Sequence, residues 1–266
     1  MGRGMARNIV GAGIPLTVWN RSPEKTADLG ADVAESPEDA VRGAGVVITV
    51  LSDAPVVESV IREASPARGT VWLQQATVGI DGCDALARVA EELGLVYVDA
   101  PVLGTKGPAE AGQLTVLASG PDEARDAVAP ILDAIGARTV WLGPAGQGSR
   151  LKLVANAWVL TVVEGVAESL ALAKALGLDP QQFLDVVKGG AVDAPYVQLK
   201  GAAMLSGDLE AQFPLWGAAK DARLIQEAGR QAGVDLAMIT AARRHFERAM
   251  AAGHGELDMA ATYLTH

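Results

Sequence analysis

The sequence predicts a doubly wound α/β domain over residues 1–145 followed by an all-α domain over residues 146–266. Three observations predict it. Up to about residue 145, short β-branched runs alternate with helix-like stretches, the pattern of a parallel sheet covered on both faces. Gly143-Pro144-Ala145-Gly146-Gln147-Gly148 then reads as a linker. Beyond it strand patterns vanish, and residues 150–176 read as one long interdomain helix, closed by Gly177 and followed by Pro180.

The first element is a helix starting at Gly2, with Met5, Ile9 and Val10 on one face and Gly11 and Gly13 at its end. Feeding directly into an extended segment at residues 16–19, it reads as the second half of a βαβ nucleotide-binding unit with the first strand missing. A start codon assigned at an internal Met is the expected reason. Further strands are expected at residues 46–51, 70–74, 95–98, 114–118 and 139–142. Helices are expected at 36–41, opened by Ser36-Pro37-Glu38-Asp39, and at 84–93. In the second domain, Ala-rich periodic runs mark helices around residues 181–188, 217–232 and 239–251. The long helix is apolar on most of its circumference, so it should be buried, with a subunit interface as one way to bury it. No internal repeat or low-complexity tract is present.

The net charge of −10 argues against a nucleic-acid-binding face. A single cysteine, Cys83, excludes an internal disulfide framework and reads as a small buried residue in a reducing compartment. His245, His254 and His266 have no metal-ligand spacing along the chain, so no metal site is expected. Gly11, Gly13 and Pro15 interrupt any apolar run behind Arg3 and Arg7, which argues against a targeting segment. The most apolar stretch, residues 153–163, is shorter than the roughly 20 residues that span a bilayer. A soluble, cytoplasmic protein is the expectation.

In a G-x-G-x-x-G turn the glycines bring backbone N–H groups to a pyrophosphate at the helix terminus, and Gly2 fits the third glycine. At the end of the next strand an NAD enzyme presents a carboxylate to the ribose. Here the position reads Asn20-Arg21-Ser22, with Lys25 following, which suits a 2′-phosphate and favours NADP over NAD. An Arg solvated in a turn is the alternative.

The loop over residues 99–114 leaves one strand and enters another, where α/β sheets build their sites. Gly104, Thr105 and Gly107 are small enough to let backbone N–H groups reach a substrate carboxylate, although a plain glycine-rich connector has the same composition. Lys152 and Asn156 stand four residues apart near the start of the long apolar helix, hence on one face. Burying such groups unpaired costs several kcal/mol, and desolvation moves a lysine toward general acid–base work. A lysine snorkelling to solvent would look the same in sequence. Lys220-Asp221, in a predicted helix after Phe213-Pro214, reads either as site residues or as a surface pair.

Taken together, these residues resemble the β-hydroxyacid dehydrogenases, the family of 3-hydroxyisobutyrate dehydrogenase and the glyoxylate/succinic semialdehyde reductases. The resemblance covers essentially the whole chain and is most specific in the 99–114 loop and the Lys152/Asn156 pair. It implies a Rossmann-like NADP-binding domain followed by an all-α substrate and dimerisation domain, in a homodimer or homotetramer. Lys152 would be the catalytic residue, donating a proton to the carbonyl oxygen of a small carboxylate-bearing substrate during NADPH-dependent reduction. Asn156 would orient Lys152 and hydrogen-bond the substrate. Gly104 and Thr105 would hold the carboxylate. Phe213, Lys220 and Asp221 would contribute from the helical domain, with Lys220 also near the nicotinamide. Leu51, Ser52 and Thr77 would line the cofactor cleft. Leu103 stands where the family usually has Ser, implying a weaker carboxylate grip or a less polar substrate. Two other readings stay open: a shortened, non-catalytic homologue acting as a helical dimer scaffold, and an imine reductase, against which Lys152 argues.

Overall fold

The computed structural model describes all 266 residues. They form two compact units, Met1–Lys152 and Leu153–His266.

In the first unit, α1 (Gly2–Gly11) leads into β1 (Thr17–Val18), a 3₁₀ turn and β2 (Asp32–Val33), which pairs parallel with β1. Ser36 caps the short α2 (Pro37–Ala40), its hydroxyl accepting the Asp39 N–H, as the local pattern predicts. A parallel sheet follows from β3 (Val46–Thr49), β4 (Val71–Gln74) and β5 (Val96–Asp99), connected by α3 (Ala54–Ala64) and α4 (Gly79–Leu93). All four residues of β4 are buried, because helices cover both faces of the sheet. Trp72, Cys83 and Leu86 belong to one of the two cores. Leu73, Val98 and Leu114 belong to the other. Burial pushes the Cys83 thiol up to about 12, so it is inert at neutral pH.

The 99–114 segment is not a plain loop. It contains β6 (Val102–Leu103) and α5 (Lys106–Glu110) before β7 (Leu114–Ala118). β6 runs antiparallel to β7, with Val102 opposite Val116 and Leu103 opposite Thr115, so the expected all-parallel pattern is broken here. A tight return of the chain onto its neighbour allows only that direction. After α6 (Arg125–Ile135), β8 (Gly136–Trp141) pairs parallel with β7.

The strands form three hydrogen-bonded groups, β1-β2, β3-β4-β5 and β6-β7-β8, the last two linked by an antiparallel bridge between Asp99 and Ser119. Between the first two lies a cavity of about 920 Å³. Leu16 and Val18 line it from the β1 side, and Val46, Ile48 and Val50 from the β3 side.

The longest element, α7 (Gln147–Ala175), starts inside the stretch read as a linker and continues into the second unit. At 29 residues it is long and apolar enough to cross a membrane by length and composition, which the count over residues 153–163 did not suggest. Its Leu160, Val163, Ala167 and Leu170 are instead buried in the helical unit. Within the single chain the burial is one-sided, which leaves the other side for the subunit interface the sequence reading allows. Val154, Trp158, Leu172 and Leu176 share one side at helical spacing and stay exposed, Trp158 at 68 %. The unit is completed by α8 (Gln181–Val187), α9 (Pro195–Ser206), α10 (Leu215–Ala232), α11 (Ala237–Ala249) and a terminal 3₁₀ segment, Met259–Thr265.

Candidate active site

The first turn of α7 is held by side chains from two strands. Asp99, at the end of β5, accepts the Ser149 N–H at 2.7 Å on Oδ2 and the Ser149 hydroxyl at 2.7 Å on Oδ1. Ser119, just beyond β7, accepts the Gly148 N–H at 2.9 Å. Those N–H groups have no partner within the helix, so the two side chains act as its cap from a distance. A Cβ at Gly148 would lie 2.2 Å from the Leu117 carbonyl oxygen, so only glycine permits the approach. Asp99 is fully buried, and burial raises its carboxyl above the usual range while the Ser149 and Ser119 hydrogen bonds oppose the rise. One turn later on the anchored helix comes Lys152, itself buried.

The candidate carboxylate-binding segment is fixed just as firmly. Leu103 is half-buried in β6, and Gly104 takes a φ of 129° that side-chain-bearing residues avoid. Thr105 then leads in extended conformation into α5. α1 grips α5 from the other side. Asn8 donates from Nδ2 to the Ala109 carbonyl at 2.8 Å, and a Cβ on Gly4 would come within 2.9 Å of the backbone at Ala109 and Glu110. The helix that opens the chain therefore also positions the candidate carboxylate-binding segment. Neither Gly4 nor Asn8 carried a sequence signal for this contact.

Of the residues expected to hold the cofactor, Gly2, Asn20, Lys25 and Leu51 line the cavity beside α1. Asn20 Oδ1 accepts the Ser22 N–H at 2.9 Å and closes the turn that carries the exposed Arg21. Ser52 and Thr77 follow β3 and β4, so both sit beyond the carboxyl ends of the parallel strands. α1 begins without a side-chain cap, leaving its first N–H groups for a phosphate, and the residues present fit a dinucleotide at this end.

In the helical unit, Asn156 of α7 donates from Nδ2 to Asp221 Oδ2 at 2.6 Å. Lys220 Nζ lies 3.1 Å from Asp221 Oδ1. Asn156 and Asp221 are both almost fully buried, so three of the expected site residues form one polar network. Phe213 stands just before α10, where its N–H donates to Asp258 Oδ2 at 3.1 Å. Sequence reasoning missed Asp258 and its buried partner Lys200, 2.6 Å away.

A sequence profile for the NAD binding domain of 6-phosphogluconate dehydrogenase matches residues 1–143. A second, described as NAD-binding of NADP-dependent 3-hydroxyisobutyrate dehydrogenase, matches residues 146–265. Glyoxylate/succinic semialdehyde reductase 1 of Arabidopsis thaliana is 32 % identical over 269 residues, covering 98 % of this chain and 93 % of that protein. A 3-hydroxyisobutyrate dehydrogenase from Salmonella typhimurium superimposes with a TM-score of 0.91 at 24 % identity, covering 100 % of this chain and 96 % of the other. The Mycobacterium tuberculosis 3-hydroxyisobutyrate dehydrogenase, solved with L-serine, gives a TM-score of 0.88 at 26 % identity over 100 % and 95 % of the two chains.

Proposed function

The chain belongs to the β-hydroxyacid dehydrogenase family, and from that premise we propose that it is an NADPH-dependent reductase of a small carboxylate-bearing carbonyl compound, such as a semialdehyde or glyoxylate. The observation that carries this reading is the buried Lys152 on α7, one turn from both the Asp99-anchored Ser149 and the Asn156–Asp221–Lys220 network. The residues at the α1 end would hold a nicotinamide dinucleotide, which would supply the hydride. Lys152 donates the proton to the carbonyl oxygen, where negative charge develops. Asn156 orients that ammonium and hydrogen-bonds the substrate, itself held by Asp221. Backbone N–H groups at Gly104 and Thr105 take the carboxylate. Leu103 supplies no hydroxyl there, which suits an aliphatic chain beside the carboxylate.

Gly2 would face the pyrophosphate, and Asn20, Arg21, Ser22 and Lys25 the 2′-phosphate. Arg21→Asp is expected to weaken NADPH by about tenfold or more, the worth of one hydrogen bond to a charged group, and to move preference toward NADH. Steady-state kinetics with both cofactors on succinic semialdehyde and glyoxylate check this. A wild-type preference for NADH that Arg21→Asp leaves in place would sink the cofactor assignment.

The cavity between β1 and β3 favours a second reading, a scaffold that binds nucleotide weakly. Extending the amino end by about ten residues, enough for one strand and two glycines, separates the two. The extended chain is expected to bind NADPH about tenfold more tightly or better, through added N–H contacts to the pyrophosphate, as read by isothermal titration. Millimolar binding by both forms would favour the scaffold. The apolar strip of Val154, Trp158, Leu172 and Leu176 on α7 supports pairing of two copies under either reading.

A further inference from the structure

Glu164 lies in the middle of α7, buried, and its ion-pair partners are two imidazoles rather than a lysine or an arginine. His245 of α11 meets Glu164 Oε1 through Nδ1, and His266 reaches the same oxygen through Nε2 at 2.6 Å. The two rings pack edge to face with centroids 4.5 Å apart. Thr262, fully buried in the terminal 3₁₀ segment, donates its hydroxyl to Oε2 at 3.0 Å. All three candidate ligand atoms lie within 4.8 Å of one another.

We propose that Glu164, His245 and His266 form a binding site for a divalent cation of the zinc class. A buried carboxylate needs positive charge beside it, and a cation shared with the two imidazole nitrogens would supply it. Two imidazole nitrogens and one carboxylate oxygen suit zinc and its first-row neighbours, whereas calcium and magnesium take oxygen ligands. Zinc bound to each donor at its usual length would hold them roughly 3.3 Å apart, so the two imidazoles would have to draw back from their present contacts with Glu164 Oε1 to admit it. Thr262 orients the carboxylate as an outer hydrogen-bond donor, the kind of support a metal ligand needs. The His245 side chain is 23 % exposed, which leaves a path for the ion from solvent. The ion would tie α7, α11 and the terminal segment together, so its role is to stabilise the helical unit. The histidine spacing along the chain hides this site, because the ligands are separated by 81 and 102 residues.

The test uses tag-free protein stripped with chelator and titrated with zinc chloride calorimetrically, with magnesium chloride as control. One zinc per chain is expected, with a dissociation constant of about 10 μM or tighter and a melting temperature several degrees higher in excess zinc. His245→Gln, which keeps an N–H donor for Glu164 but removes the imidazole, is expected to weaken zinc by about tenfold or more. Glu164→Gln should do the same, while His254→Ala, outside the cluster, should bind like the wild type. Absence of zinc binding above the magnesium control would overturn the proposal. So would equal zinc affinity in the wild type and in a folded His245→Gln.

Discussion

Lys152→Ala is expected to lower kcat/KM for semialdehyde reduction by about 10²- to 10⁴-fold, the usual worth of a positioned general acid. NADPH affinity should stay within about twofold, because most of the proposed cofactor residues belong to α1 and the turns after the parallel strands. The effect should fall on kcat, since a proton given to the carbonyl oxygen matters most where charge has built up. Lys152→Met separates chemistry from packing. It fills the same buried volume without the ammonium and should lose as much activity as alanine while keeping wild-type melting. The position of Lys152 follows from the Asp99 and Ser119 cap one turn earlier, which fixes where α7 begins. Near-wild-type turnover by Lys152→Met in a stopped-flow assay of NADPH oxidation would remove Lys152 from the mechanism.

That cap also shows what the sequence could reveal and what it could not. The parallel strands were legible because residues 46–49 are a β-branched run and residues 71–74 a short run opened by Val71 and Trp72, each preceded by turn residues. The start of α7 was not. Gly146-Gln147-Gly148 has the composition of a linker, and the groups that make it helical, Asp99 and Ser119, come from about 50 and 30 residues away. α5 was hidden for a related reason. Its sequence, Lys-Gly-Pro-Ala-Glu, has poor intrinsic helicity, and α1 holds it through Asn8 and the close approach at Gly4. The candidate site residues were picked individually by type and spacing, and by resemblance. Their pairing was not readable, since Asn156 and Asp221 stand 65 residues apart. The exposed strip on α7 was missed because a helix apolar nearly all round gives no clue to which face its own unit covers.

Asp258→Ala is expected to destabilise the helical unit by about 3–5 kcal/mol, the range found when one partner of a buried ion pair is removed. Asp258 Oδ1 accepts from Lys200 Nζ at 2.6 Å and from the Ala260 N–H at 3.0 Å. Its Oδ2 accepts from the N–H groups of Gln212 at 3.0 Å and Phe213 at 3.1 Å. Truncation therefore strands a buried ammonium and three backbone donors together. Lys200 cannot escape to water, because its side chain is only 3 % exposed and its charge sits 5.3 Å from the centre of the Tyr196 ring. Lys200→Met should cost clearly less. It removes the charge that needs a partner, packs in the same space, and leaves the carboxylate its three N–H bonds. Urea denaturation of the two variants, followed by helical circular dichroism, measures the difference. A loss within about 1 kcal/mol for Asp258→Ala would mean that water or a neighbouring group replaces the carboxylate. A loss of the expected size should carry activity down with it, because the bonds at Gln212 and Phe213 fix the entry to α10, the helix that presents Lys220 and Asp221.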